Sequence, residues 1–196
     1  MEQYFTKTPT VAHDYRECNY ELQSHHFTFL TDAGVFSKGE IDTGTDILLR
    51  TIPNLYGNVL DMGCGYGLVG IVCKKIYPNI AVTCIDINER AVELTKQNAQ
   101  KNGVELIVFQ SDGLEDQTKQ FNFAIINPPI RAGKDTVYKL FSQLKAALVN
   151  EGTMYVVIRT KQGAKSAVEF LKTLFYNVNT LEIKSGYRIL ECKEPR

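Results

Sequence analysis

From residue 58 onward, short apolar runs alternate with segments whose apolar positions recur at helical spacing. The runs Asn58–Met62, Ala81–Ile87, Glu105–Gln110, Phe121–Ile126, Thr153–Arg159, Asn177–Ile183 and Arg188–Cys192 read as strands. Between them, Val137, Leu140, Phe141, Leu144, Ala147 and Leu148 share one helical face. Ala164, Ala167, Val168, Leu171, Leu174 and Phe175 share another. Asn88 stands where a helix cap belongs, and Gly103 where the same helix would end. Strands alternating with helices predict an α/β fold, with parallel pairing and helices on both faces of the sheet. The last two runs meet around Ser185-Gly186 without space for a helix, which predicts an antiparallel hairpin.

The first fifty-odd residues follow another pattern. Phe27–Leu30, the turn Thr31-Asp32-Ala33-Gly34 and Val35-Phe36-Ser37 read as a small hairpin. A short helix is expected over Thr45–Thr51, with Thr43 or Thr45 as its N-cap. A chain of 196 residues is expected to form one domain, residues 1–52 being an extension and 53–196 the core.

Composition narrows the function classes. Lys plus Arg equals Asp plus Glu at 22 each, so no global field draws the chain to nucleic acid or to a membrane surface. Contact with nucleic acid would need a local basic patch. The opening Met1-Glu2-Gln3-Tyr4 has no apolar stretch and no segment reaches membrane-spanning length, so no signal peptide and no membrane partner are expected. The five cysteines are odd in number and contain no C-x-x-C pair. Three lie in apolar runs, which reads as reduced core thiols in a cytoplasmic protein. His25-His26 and Cys18 match no zinc spacing, and no metal is expected.

Candidate chemistry gathers where strands end. Asp61-Met62-Gly63-Cys64-Gly65-Tyr66-Gly67 stands at the turn from the first core strand into the first core helix, where open α/β sheets bind ligands. Gly65-Tyr66-Gly67-Leu68-Val69-Gly70 also fits the dinucleotide fingerprint, with Asp86 at the expected distance. Charge decides between the ligands. A pyrophosphate over this loop would be opposed by Asp61, whereas the ammonium and sulfonium of S-adenosylmethionine would be favoured by it. Asp86 suits ribose hydroxyls, and Asp112 adds an acceptor for an adenine amino group. At the fourth strand end, Asn127-Pro128-Pro129-Ile130 forms an acceptor-rich edge. The Asn127 amide oxygen and the Pro128 carbonyl can each accept one N–H of a planar amine and orient its nitrogen for attack on a methyl group.

With these motifs the sequence resembles the class I S-adenosylmethionine-dependent methyltransferases, and among them the RsmC-type ribosomal RNA guanine-N2 methyltransferases. Asp61–Gly67, Asp86, Asp112 and Asn127-Pro128-Pro129 carry the likeness, together with Gly34-Val35-Phe36-Ser37, Ile41-Asp42-Thr43-Gly44-Thr45 and Leu48-Leu49. The resemblance covers roughly residues 27–193. It implies a Rossmann-like seven-stranded mixed sheet of order 3-2-1-4-5-7-6 with the last strand antiparallel. It also implies that Lys38, Asp42 and Thr43 lie over a cofactor pocket lined by Asp61, Gly63, Cys64, Gly65, Gly67, Asp86, Ile87, Asp112, Gly113 and Asn127. The transfer site would comprise Asn127, Pro128, Pro129 and Ile130. The implied partner is RNA, as ribosomal RNA or a ribosomal subunit; Arg131, Lys134, Arg159 and Lys161, which follow the fourth and fifth strands on the face a substrate must approach, are candidate phosphate contacts. Where the family usually has Phe or Tyr this chain has Ile130, and longer members carry an additional methyltransferase-like half. Transfer to adenine or to a protein glutamine amide shares the Asn-Pro-Pro motif. A non-catalytic RNA-binding protein of the same fold is the remaining alternative.

Overall fold

The structure, a computed structural model, describes residues 6–114 and 121–196. Met1–Tyr4, on which the expectation about the N-terminus rests, lie outside the described residues. A two-stranded antiparallel sheet comes first, β1 (Arg16–Leu22) and β2 (His25–Thr31), followed by helix α1 (Thr43–Thr51). The core then runs β3 (Asn58–Met62), α2 (Leu68–Ile76), β4 (Ala81–Asp86), α3 (Glu89–Lys101), β5 (Ile107–Gln110) and β6 (Phe121–Ile126). It continues through α4 (Lys134–Ala147), β7 (Leu148–Arg159), α5 (Ala164–Leu174), β8 (Phe175–Lys184) and β9 (Tyr187–Pro195).

The large sheet has seven strands in the order β5-β4-β3-β6-β7-β9-β8. Counted from the first core strand, this is 3-2-1-4-5-7-6, as the resemblance implies. β3 through β7 pair in parallel, and β9 runs antiparallel between β7 and β8. The central strands are buried on both faces, so Phe123-Ala124-Ile125-Ile126 reads as an unbroken apolar run. One face packs Val59, Ile125, Tyr155 and Ile189 under α1, α2, α3 and the small sheet. The other packs Leu60, Ile126, Met154 and Leu190 under α4 and α5.

The small hairpin differs from expectation. Its second strand is β2, but the partner lies upstream, in β1, and the turn is Gln23-Ser24. Val35-Phe36-Ser37 cannot extend as a strand, because Gly34 (φ 80°) and Ser37 (φ 57°) both take left-handed backbone conformations. The period-2 signal of the true partner is Cys18, Tyr20 and Leu22, which face inward along β1. The cap of α1 also shifts: Asp42, not a threonine, accepts from the Thr45 backbone N–H at 2.8 Å. Asn88 caps α3 as expected, accepting from Arg90 N–H at 2.9 Å.

The extension is fastened to α3 by polar side chains. Asn98, fully buried, accepts from Leu30 N–H at 2.7 Å and donates to Leu30 O and Tyr66 O, each at 2.8 Å. One turn later, Asn102 makes the same pair of bonds with Thr28, at 3.1 and 2.9 Å. Together the two amides act as a neighbouring strand for the free edge of β2. Arg90 donates to Ala33 O and Val11 O, and Asn88 donates to Gly34 O. These bonds fix the path of residues 28–36 and deliver Val35-Phe36-Ser37 to the carboxyl end of the sheet.

Replacing Asn98 removes the side-chain partner of the Leu30 N–H and of the Leu30 and Tyr66 carbonyls. Asn98→Ala is expected to lower unfolding free energy by about 2–3 kcal/mol, read as a shifted denaturant midpoint at unchanged slope. A loss below about 0.5 kcal/mol, the range of ordinary surface changes, would contradict this role.

Candidate active site

A cavity of about 350 Å³ lies at the carboxyl ends of β3, β4 and β6, within the size range of small-molecule sites. It is lined by Asp61, Gly63, Cys64, Gly65, Asp86, Ile87, Asp112, Gly113, Asn127, Pro128 and Pro129, among others. Asp42 and Thr45 enter the wall from α1, and Val35, Phe36 and Ser37 from the segment behind β2. The floor at the β3–α2 turn is a cradle. Gly63 (φ 74°) and Gly65 (φ 58°) take conformations that favour glycine, and a Cβ added at either would meet nothing within 4 Å. That open space lets a ligand approach the backbone directly.

Gly70 serves a different purpose. A Cβ there would stand 2.3 Å from Cys84 Sγ, so only glycine lets α2 come this close to β4. The close approach lets Gly70 N–H donate to Asp61 Oδ2 at 3.0 Å. Asp61 is buried, and burial pushes its carboxyl up to about 7 despite that bond, with the Asp86 charge adding to the rise. Asp86 accepts from Gly65 N–H at 2.8 Å and Asn88 N–H at 2.9 Å, yet burial raises it to about 6. A cationic or hydroxyl-bearing ligand beside these two carboxyls would favour their ionised forms. Neither suits a pyrophosphate. A sulfonium, an ammonium and two ribose hydroxyls fit this donor set.

The transfer edge is built by the two prolines. Pro129 (φ −74°, ψ 78°) lies near inverse γ-turn geometry, and Ile130 N–H donates to Pro128 O at 2.9 Å. The carbonyl keeps a second lone pair. Asn127 donates through Nδ2 to Asp42 Oδ2 at 3.2 Å and to Thr45 Oγ1 at 3.0 Å. Its amide oxygen is therefore the end left as an acceptor.

Several expected site residues lie elsewhere. Lys38 is ion-paired with Asp14 and does not line the cavity. Thr43 is the first residue of α1 and Gly67 the N-cap of α2, both behind the wall. Ile130 packs against the α4 face of the core. Arg131, Lys134 and Lys161, expected as phosphate contacts and not as pocket residues, are exposed after the ends of β6 and β7, while Arg159 donates through Nε to the Tyr187 hydroxyl at 2.9 Å. Residues not singled out beforehand include Thr45 as an Asn127 partner, and Thr136 and Leu140 on the acceptor side of the wall. Thr45 is readable in sequence only as a helix-start residue, and the α4 pair only as helix surface. Among the described residues there is no cluster of three or more His, Cys, Asp or Glu side chains able to hold a metal, and no helix long and apolar enough to cross a membrane.

Residues 26–191 match the model of the methyltransferase small domain family. The chain is 38% identical over 198 residues to YbxB of Bacillus subtilis, covering 98% of each. It is 33% identical to ribosomal RNA small subunit methyltransferase C of Aliivibrio salmonicida, over 92% of this chain and 53% of that one. It thus spans about half the length of that relative. In fold it is similar to a T. thermophilus 16S rRNA N2 methyltransferase (RsmC) solved in complex with AdoMet and guanosine. The TM-score is 0.82 at 21% identity, covering 95% of this chain and 52% of the other.

The raised carboxyls set the expected pH dependence. Their folded values, about 7 and about 6, exceed the ordinary 3.8. Their contribution to stability is therefore present below about 4 and lost as pH rises through about 6 to 7. A cationic ligand reverses this by favouring the ionised forms. Affinity for S-adenosylmethionine is expected to increase between about pH 5.5 and 7.5, by up to about tenfold per pH unit for each proton released. Calorimetry in buffers of different ionisation heat reads that release directly. Binding with no proton release across this range would contradict the assignment of both carboxyls to the cofactor.

Proposed function

The chain belongs to the methyltransferase small domain family, and from that premise we propose that it transfers a methyl group to the exocyclic N2 of guanine in ribosomal RNA. The observation that carries the reading is the pair of acceptors, Asn127 Oδ1 and Pro128 O, at the end of β6 beside the glycine cradle. When bound, S-adenosylmethionine supplies an electrophilic methyl on a sulfonium. The residues that would hold it are Gly63 and Gly65 beneath, Asp61 near its cationic groups, Asp86 at the ribose and Asp112 at the adenine.

The chain's own contribution to chemistry is placement and charge. The guanine N2 lone pair is delocalised into the ring, so the amine is a weak nucleophile. Accepting both its hydrogens fixes the nitrogen and favours the positive charge that develops as the N–C bond forms. The proton becomes acidic once nitrogen is alkylated and then passes to water, so no strong base is needed beforehand. Phe36, half-buried on the cavity wall, is the aromatic face that can take the place of the ring missing at Ile130.

Ribosomal RNA as substrate is supported by the names of the relatives and by the distribution of charge. Arg131, Lys134, Lys161, Lys165 and Lys184 are exposed after β6, after β7 and at the β8–β9 turn. The turn is tied to the end of β7 by Thr160 N–H to Gly186 O at 2.8 Å. Among the described residues none of these five is in an ion pair. A locally basic rim meets phosphates even though the whole chain is neutral.

Single-turnover methyl transfer to ribosomal RNA tests the reading. Asn127→Ala is expected to slow transfer by about 10²–10³-fold, with cofactor affinity little changed. Wild-type rates in this variant would mean that the strand end is only a proline terminator.

A further inference from the structure

The amide of Asn127 could sit in either of two orientations, and only one presents an acceptor to an incoming amine. We propose that Asp42 is the positioning residue that selects the productive orientation, acting directly and through Thr45. This rests on the reading of Asn127 as the amine acceptor.

The polarity of each group decides the orientation. An ionised carboxylate is acceptor-only, a hydroxyl is both donor and acceptor, and a carboxamide has one end of each kind. Asp42 Oδ2 receives Thr45 N–H at 2.8 Å, the Thr45 hydroxyl at 3.0 Å and Asn127 Nδ2 at 3.2 Å. With its proton committed to Asp42, the Thr45 hydroxyl has only lone pairs to offer Asn127 Nδ2, 3.0 Å away. Both neighbours of that nitrogen are thus acceptors. A flipped amide would set its oxygen against a carboxylate and against hydroxyl lone pairs. The nitrogen is held against the start of α1, which leaves the oxygen as the acceptor for an incoming amine.

The placement of Asp42 is itself well supported. The N–H of Thr45 fixes it as the cap of α1, and the Tyr187 ring packs where a Gly44 Cβ would stand, at 2.5 Å. Tyr20 O–H donates to Asp46 and Arg50 donates to Glu21 O, anchoring the same helix to β1. One carboxylate therefore starts a helix and sets the direction of an amide 85 residues away.

Capping alone and amide orientation make different predictions. Asp42→Ala is expected to lower single-turnover transfer at saturating S-adenosylmethionine at least about tenfold. Asp42→Asn, which keeps an oxygen at the cap, should recover most of the rate. The sharper comparison is the same alanine change in an Asn127→Asp background. A carboxylate at position 127 has no wrong orientation and is repelled by Asp42, so there Asp42→Ala should leave the rate equal or raise it. An equal loss in both backgrounds would overturn the proposal. So would a loss that tracks the folded fraction or cofactor affinity. A readout independent of transfer is the side-chain amide of Asn127 followed by NMR. Its Nδ2 protons should be protected from exchange in the wild-type chain and unprotected in Asp42→Ala. Unchanged protection overturns the positioning role. Normal protection in a wild-type chain that methylates no RNA would instead count against the substrate reading.

Discussion

The hydrogen bonds of Asn98 tie together three parts of this structure. Asn98 is wholly buried, and its three hydrogen bonds join α3, the edge of β2 and the β3–α2 turn at the cavity floor. A buried amide with unmet bonds is costly, so helix, extension and loop settle together or not at all. Because β2 is held there, the chain leaving it passes Asn88 and Arg90 and reaches the cavity as Val35-Phe36-Ser37. The N-terminal extension is therefore part of the site wall.

The site divides its labour between the two parts of the chain. The parallel strands bring Asp61, Asp86, Asp112 and Asn127 to one edge, because every parallel strand ends on the same side. The extension then supplies what strand ends cannot. Asp42 and Thr45, at the start of α1, give direction to an amide that the strand has only placed. The core sheet places Asn127, and the start of α1 supplies both hydrogen-bond acceptors of its amide nitrogen.

Most of the core was legible because parallel strands buried on both faces give unbroken apolar runs. β3 and β6 begin and end where those runs do. The glycine cradle and the Asn-Pro-Pro edge were legible for a similar reason, since each is a contiguous stretch with its own backbone requirement. The hairpin was misplaced because Thr31-Asp32-Ala33-Gly34 looks like a hairpin turn. In the fold Asp32 instead binds Asp14 N–H and Ala33 N–H, and the chain leaves the sheet. The roles of Thr45, Thr136 and Leu140 were not legible, because they depend on which helix face meets the cavity. The fate of Lys38 was not legible either, because its partner Asp14 lies 24 residues upstream in an irregular segment.

The most direct test of the central claim is mass spectrometry of nucleosides from ribosomal RNA of cells with and without this protein. The account predicts that N2-methylguanosine falls when the protein is absent and returns when it is restored. Unchanged N2-methylguanosine, or a loss confined to a methylated adenosine, would contradict it.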